Sequence, residues 1–403
     1  MKKYFILAAV AATFAACSFD KDMGESSSQV QEERVPIAVA SAFNSTPKST
    51  VTRSTSTTVQ GDKLVESIGV YIYKTNKLDT DGGYGFANIE FNTPTQISAT
   101  AYYTVATSTA VVYPESKTQK VDLYAYAPYC SGAGSPTDGI TSISNSPALT
   151  DGSSNVATIN YTTPADQSSE ANYRKADLLY GYNKNSSTIS NASTSYNLTA
   201  EKAKAKASTT DNTLDADGFI NGRIYLPMKH QLSKITLKIK PEGMAVDKLE
   251  EATVKIYADK MGNTFDLANG VLGTATNATE TSTGDAITLT SKLGYKDDGS
   301  TKYTASDTDG DGVIIESSTV KGYTASGIIV PQDFPTSHAF LTISLKDNVA
   351  TYSWKDTSLT TLSFDSGKEY IFNITVKASG LTVTVQVQNW ESTSDNSGDA
   401  VLD

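Results

Sequence analysis

The sequence predicts an all-β protein built from two tandem antiparallel β-sandwich domains. Apolar residues recur at every second position in nearly every periodic segment that follows the N-terminal leader, as they do in strands with one buried face. These segments are rich in Tyr, Val and Ile and stop at Gly, Pro, Asn or Asp. After the leader no long apolar stripe has helical spacing, and the 403 residues suffice for two separate cores.

The first seventeen residues indicate an export signal that ends in a lipidation site. Lys2 and Lys3 precede an apolar stretch too short to span a bilayer, and small residues lead into Cys17. A lipoprotein signal peptidase needs such small residues, since the cysteine is acylated on sulfur and becomes the new N-terminus. We therefore expect a signal peptide over 1–16 and a covalent lipid on Cys17, with no other cofactor. An ordinary secretory signal, with an incidental Cys17, is the alternative.

Residues 17–53 are expected to form a lipid-anchored propeptide that contains one strand. Most of this stretch is polar and Ser/Thr-rich, as in a tether. An apolar island interrupts it, and one parity of the island holds Val35, Ile37, Val39 and Phe43. The other parity holds Pro36, Ala38, Ala40 and Ala42. The island therefore predicts a strand with one large-residue face and one small-residue face, which should pair with another part of the chain and bury the large residues.

The first sandwich domain is assigned to residues 54–225. Its predicted strands include Ile68–Tyr73, Val121–Pro128, Ala176–Tyr182 and Gly222–Pro227. The boundary is placed near Leu226, where a polar region gives way to the basic and apolar stretch KHQLSKITLKIK, predicted as a strand.

The second sandwich domain is assigned to residues 226–403, and its alternation is firmer. Its clearest feature is a hairpin of Glu369–Lys377 and Leu381–Gln388, joined by a short glycine-containing turn. On the second of these strands Thr382 and Thr384 are expected to face water. The buried side should hold Leu381, Val383, Val385 and Val387.

Composition argues against several classes of function. The formal net charge is −11 and no Lys/Arg-rich run is present, so nucleic acid is a poor partner. The chain has only two histidines, and it lacks a paired-histidine zinc motif and a Gly-x-Ser-x-Gly turn. We therefore expect a protein that is not an enzyme.

One acidic loop has the spacing of a calcium site. Asp307, Asp309 and Asp311 alternate as ligands do in a calcium loop, but the twelfth position is Ser318 instead of the bidentate glutamate. An acidic hairpin loop is the favoured interpretation, and calcium remains the alternative.

Five segments, taken in order, resemble the fimbrillins of the Bacteroidales, which are the type V pilins. The segments are VDLYAYAPY (121–129), ADLLYGY (176–182), MKHQLSKITLKI (228–239), GIIVPQDF (327–334) and GKEYIFNITVKASGLTVTVQVQNW (367–390). The resemblance implies two transthyretin-like sandwiches and export to the outer membrane as a lipoprotein. It also implies cleavage by an arginine-specific protease, which frees the N-terminal strand and permits head-to-tail assembly into fimbriae by donor-strand exchange.

On this resemblance the protease cuts after Arg53, which follows the apolar island; Arg34 is the alternative, but a cut there would leave the island on the pilin. Partners would then be other pilin subunits, the protease and the outer membrane. The donor strand is expected in the C-terminal region. Its candidates are the strand with Leu381, Val383, Val385 and Val387, and the trailing segment with Val401 and Leu402.

Two functions remain open at this point. The first is a structural pilin precursor that supports cell adhesion on the cell surface. The second is a monomeric surface lipoprotein that binds a glycan or host ligand and keeps its N-terminal strand.

Overall fold

The computed structural model describes most of the chain after residue 33, with gaps. The described residues are 34–43, 67–74, 86–97, 100–105, 111–114, 118–132, 134, 139–144, 157–183, 196–207, 213–250, 252–277, 284–289, 293–295, 302–303, 322–335, 337–345, 349–356, 361–390 and 400–401. Several expected features lie outside these residues, namely Cys17, Arg53, Asp307, Asp309, Asp311 and Leu402.

The described residues form mostly β-strands, which confirms the predicted all-β class. In chain order the strands are β1 (Val39–Phe43), β2 (Ser67–Lys74), β3 (Phe86–Ile97), β4 (Thr100–Val105), β5 (Val121–Ala127), β6 (Ile140–Ser144), β7 (Thr158–Thr162), β8 (Leu179–Asn183), β9 (Phe219–Ile220), β10 (Arg223–His230), β11 (Ser233–Glu242), β12 (Thr253–Ala258), β13 (Lys260–Asp266), β14 (Val271–Leu272), β15 (Thr276–Asn277), β16 (Asp285–Thr288), β17 (Leu293–Tyr295), β18 (Lys302–Tyr303), β19 (Gly322–Ile329), β20 (Gln332–Pro335), β21 (Leu341–Ser344), β22 (Thr351–Trp354), β23 (Thr361–Phe364), β24 (Lys368–Lys377), β25 (Gly380–Asn389) and β26 (Ala400–Val401).

Short helices punctuate the strands. They are α1 (Glu170–Lys175), α2 (Ala200–Lys206) and α3 (Asp247–Glu250). The side chains of Ser169 and Thr199 cap α1 and α2 by accepting hydrogen bonds from backbone N–H groups of the first turn. Each helix is too short to show an apolar stripe, which is why alternation alone did not reveal it.

The first sheet closes on itself. Its strands run β4-β3-β2-β5-β8-β10 by antiparallel pairing, and β1 pairs with both β4 and β10. The contact with β10 is parallel, whereas that with β4 is antiparallel. The N-terminal strand is thus the element that joins the two ends of this sheet.

The second half contains a larger open sheet packed on a smaller one. The larger sheet has the order β18-β17-β19-β11-β24-β25-β26, and the smaller has the order β16-β12-β21-β22. Their apolar faces form one buried cluster around Phe340, Phe372 and Ile256. In the larger sheet β11 and β24 are parallel, which departs from the purely antiparallel expectation.

A second cluster fills the closed sheet, and a third joins the two halves of the chain. The third cluster brings Tyr126 and Tyr180 of the first sheet against Phe265, Ile328 and Trp390 of the second half. In addition, β7 pairs with β13 from Thr158↔Asp266 to Thr162↔Gly262, so one sheet contains strands from both halves. The boundary expected near Leu226 falls inside β10.

The strand predictions need three corrections. The strand expected over Val35–Phe43 is regular only over Val39–Phe43. The strand expected from Ala176 begins at Leu179, because Ala176 is the C-cap residue of α1. The stretch KHQLSKITLKIK is two strands, β10 and β11, which lie in different sheets and are separated at Gln231–Leu232.

Two kinds of feature are absent from the described residues. Within those residues, no helix has the length and apolar character needed to cross a membrane. The same part of the chain contains no group of three or more His, Cys, Asp or Glu side chains placed to hold a metal ion.

Candidate functional site

The candidate site is the groove in the first sheet that β1 occupies. On one side Val39 lies opposite Tyr103 of β4, and on the other it lies opposite Ile224 of β10. The pairing continues along β10 to Phe43, which lies opposite Met228. Each edge of β1 is therefore hydrogen-bonded to a neighbouring strand, and each of these neighbours would present an unpaired edge if β1 left.

The residues just before β1 use a different partner. Pro36 forms an isolated antiparallel bridge with Val112, and the Ile37 amide donates to the carbonyl of Val111 at 2.8 Å. The Tyr113 amide donates to the carbonyl of Val35 at 2.9 Å. A proline has no N–H to offer a ladder. The chain consequently passes from one partner to another before regular pairing begins at Val39, which explains why the strand is shorter than predicted.

The large-residue face of the island lies in the core of the closed sheet, as predicted for Ile37 and Val39. These two side chains are 2% and 0% exposed, and Val35 is half-buried against the same cluster. Their neighbours in the cluster include Val70, Leu123 and Leu226. The side chain of Phe43 lies outside the described residues, although its backbone belongs to β1.

One residue of the small-residue face, Ala40, is also covered, which the alternation alone did not indicate. Ala40 is fully buried in a separate small cluster with Ile220 and Tyr225, against which Leu214 packs in part. Ile220 belongs to the two-residue strand β9, which folds back on β10 through Asn221-Gly222. Both turn residues have positive φ, 47° and 72°, as a type I′ turn requires. The Asn-Gly pair is the sequence signal that could have revealed this cover.

The two arginines named as protease sites have different positions. Arg34 is exposed and directly precedes the residues that bridge to Val112. Arg53 lies in the stretch between β1 and β2 that is outside the described residues. Of the two arginines, only Arg34 belongs to the described residues.

The donor-strand candidates divide between a built-in strand and the tail. Leu381, Val383, Val385 and Val387 lie on β25, partly buried against the second-half core, as predicted for the closing hairpin. Strand β25 pairs with β24 from Lys377↔Gly380 to Lys368↔Asn389. Val401 lies in β26 and pairs with Gln386 on the outer edge of β25.

Comparison with solved structures finds fimbrial and adhesion proteins of Bacteroides and Porphyromonas species. A protein of Bacteroides ovatus described as a candidate cell adhesion protein is 18% identical, with a TM-score of 0.50, over 90% of this chain and 100% of its own. A fimbrial protein of Bacteroides vulgatus is 16% identical (TM-score 0.38; 80% of this chain, 92% of its own). The C-terminally truncated tip fimbrial protein Mfa3 of Porphyromonas gingivalis is 8% identical (TM-score 0.38; 89% and 100%). At such identity the likeness to the Bacteroides ovatus protein is one of fold.

Comparison with curated protein sequences finds no match. The model of one protein family, described as fimbrillin-like, matches residues 52–390, which is most of the chain. This match includes the closed sheet from β2 onward and the whole second half up to Trp390. The chain therefore belongs to the fimbrillin-like family.

Proposed function

We propose that the protein is the precursor of a fimbrial subunit that acts in adhesion at the cell surface. It is exported as a lipoprotein anchored to the outer membrane through Cys17, and it has a structural role instead of a catalytic one. Membership of the fimbrillin-like family supports a fimbrial role. The leader with its terminal cysteine is the sequence feature that supports export and anchoring.

The observation that carries the proposal is the position of β1. This strand comes from the expected propeptide, yet it completes the first sheet between β4 and β10. Burying Ile37 and Val39 stabilises the uncut protein by roughly 3 to 6 kcal/mol before chain entropy is counted. An extended strand of another subunit would meet the same two edges and the same apolar interior.

Cleavage after Arg53 would convert this strand from part of the chain into a separate segment. While the chain is intact, the linker holds β1 at a high effective concentration beside its groove. After the cut, a β1 segment that dissociates is no longer tethered, and its effective concentration falls. The family match begins at residue 52, next to this arginine. A strand from a neighbouring subunit then occupies the groove, and since donor and groove differ in shape, the contact is head-to-tail and extends into a filament.

For the donor that this subunit supplies, we propose the trailing segment in preference to β25. Removing β25 would break its pairing with β24 along the full hairpin and uncover the core beneath Leu381, Val383, Val385 and Val387. The tail is joined to the sheet through two pairs, Gln386↔Val401 and Val387↔Ala400, within the described residues. Its release therefore disrupts far less of the structure.

The test uses matched arginine variants in cells that make fimbriae. Arg53→Ala is expected to leave a lipid-anchored monomer, because β1 stays tethered in its groove. Arg34→Ala is the control and is expected to assemble normally, since a cut there would leave β1 on the subunit. The measurements are the ladder on a native gel and the fibres seen by electron microscopy.

Normal fibres from Arg53→Ala would remove this residue from the mechanism. An uncut monomer that resists an arginine-specific protease and is retained on a glycan column would instead support the glycan-binding lipoprotein. Cys17→Ala tests the anchor separately, because the variant should lose incorporation of labelled palmitate and leave the membrane fraction.

A further inference from the structure

We propose that the groove occupied by β1 accepts strands that follow a size rule, and that a different kind of subunit supplies the strand, not a second copy of this chain. The rule is two large apolar residues at alternate positions followed directly by a small residue, as in Ile37, Val39 and Ala40. This inference rests on the proposed function, since it concerns which strand replaces β1.

The first half of the rule comes from the inner face of the groove. Ile37 and Val39 are buried to 2% and 0% exposure in the main core of the closed sheet. A replacement strand with polar residues at these positions would leave a cavity among the apolar neighbours. It would also bury polar groups without hydrogen-bond partners. Large apolar side chains are therefore required at both positions.

The second half of the rule comes from the outer face. Ala40 is 0% exposed and contacts the cluster of Ile220 and Tyr225, with Leu214 beside it. The next residue of the same parity, Ala38, is only half-buried. A larger side chain is therefore excluded at position 40 and tolerated at position 38.

The cover over Ala40 is held in place by several independent contacts. The Asp215 carboxylate accepts hydrogen bonds from the amides of Asp217 and Phe219 at 2.8 and 3.0 Å. The same side chain pairs with Lys206 of α2 at 3.3 Å, and Lys202 pairs with Asp217 at 3.2 Å. The hydrogen bonds close the turn between Leu214 and Ile220, and the two ion pairs join that turn to α2. The cover cannot move outward cheaply, so the space for position 40 stays small.

The C-terminal segments of this chain do not satisfy the rule. In the strand 381–389 every valine is followed by Thr or Gln, so Val383 and Val385 would bring Thr384 or Gln386 to position 40. In the tail, Val401 at position 39 would bring Leu402 to position 40 and Asp399 to position 37. Each alignment puts a polar or oversized residue where the groove admits alanine. The groove instead fits a strand of a different subunit that has large apolar residues at positions 37 and 39, any residue at position 38 and a small residue at position 40.

The test measures strand exchange with peptides on the purified uncut protein, in which a recognition sequence for a site-specific protease is inserted after Arg53. After cutting, labelled peptides are added in excess and exchange is followed by native mass spectrometry. The peptides are residues 35–43, the same peptide with Ala40→Gln, the same peptide with Ala38→Gln as matched control, residues 381–389, and residues 391–403.

The 35–43 peptide and its Ala38→Gln form are expected to exchange equally well. Ala40→Gln should reduce incorporation by about tenfold or more, because overpacking and an unpaired amide both oppose it. The peptides 381–389 and 391–403 should not enter.

Equal incorporation of the Ala40→Gln peptide would overturn the size rule, and efficient entry of 381–389 or 391–403 would identify a second copy of this chain as the donor. Both results leave the proposed function intact. Failure of the native 35–43 peptide to enter would show that β1 is not replaceable, and that result would overturn the proposed function together with this inference.

Discussion

Val39 is the side chain of β1 whose contribution to stability can be measured most directly. Its side chain is fully buried in the core of the closed sheet, and its backbone pairs with strands on both sides. Val349 is the same residue type but is 81% exposed. The two valines therefore give a matched pair for measuring burial in the groove.

We expect Val39→Ala to lower the free energy of unfolding of the uncut protein by about 2 to 3 kcal/mol, from lost apolar burial and a residual cavity. Val349→Ala should change it by less than about 0.5 kcal/mol. Urea titrations followed by circular dichroism measure both values. Equal effects of the two substitutions would contradict burial of β1.

A buried ion pair joins β11 to β24 of the closing hairpin. The Lys234 ammonium is 3.2 Å from a carboxylate oxygen of Glu369, and the side chains of Thr236 and Gln388 each donate a hydrogen bond of 2.7 Å to that carboxylate. Burial alone would raise the pKa of Glu369, but Lys234 and these hydrogen bonds outweigh it and lower the pKa below the ordinary value of 4.5. Stability from this group is present above pH 4.5 and is lost as the pH falls toward the lowered pKa.

Replacing Glu369 by Gln should therefore cost most at neutral pH. There it leaves Lys234 buried without its counter-charge, a loss of about 3 to 5 kcal/mol. The difference in the free energy of unfolding between the native protein and the Glu369→Gln variant should narrow below pH 4.5, because Glu369 itself becomes protonated. Glu242→Gln is the control, since Glu242 pairs with Lys377 at the surface and should cost at most about 1 kcal/mol. Urea unfolding midpoints of both proteins, measured from pH 7 down to pH 3, test this expectation. A difference between the midpoints that stays constant with pH would contradict a lowered pKa of Glu369.

Among the elements, the strands that alternation predicts best are those with one face in a core. The predicted Ile68–Tyr73 becomes β2 and the predicted hairpin becomes β24 and β25, each within two residues of the expected limits. The same pattern predicted burial of Ile37 and Val39, because a strand with a period of two has only one way to place its large residues inward.

Strand partners could not be predicted in the same way. Nothing in the island over 35–43 specifies that it pairs in parallel with β10 and antiparallel with β4, since these partners are remote in sequence and their choice depends on the completed sheet. The cover over Ala40 is likewise a product of tertiary structure. The sequence shows that Ala40 is small, but the reason for its size lies in tertiary structure, in its contact with Ile220 and Tyr225.

For the molecule as a whole, the two halves are joined by more than a linker. The side chain of Gln167, from the first half, accepts from the amide of Ile328 at 2.7 Å and donates to its carbonyl at 2.8 Å. Tyr180 and Phe265 meet edge to face with ring centroids 5.0 Å apart. Together with the pairing of β7 and β13, these contacts place a shared core and a shared sheet between the halves.

We therefore expect the uncut protein to unfold in one cooperative transition. Because the shared core cannot open in one half without exposing the other, the calorimetric and van't Hoff enthalpies should agree. Far-UV circular dichroism reports strands throughout the chain, whereas fluorescence reports Trp354 and Trp390, both in the second half. The two melting curves should coincide. Two resolved transitions would show instead that residues 54–225 and 226–403 unfold as independent domains.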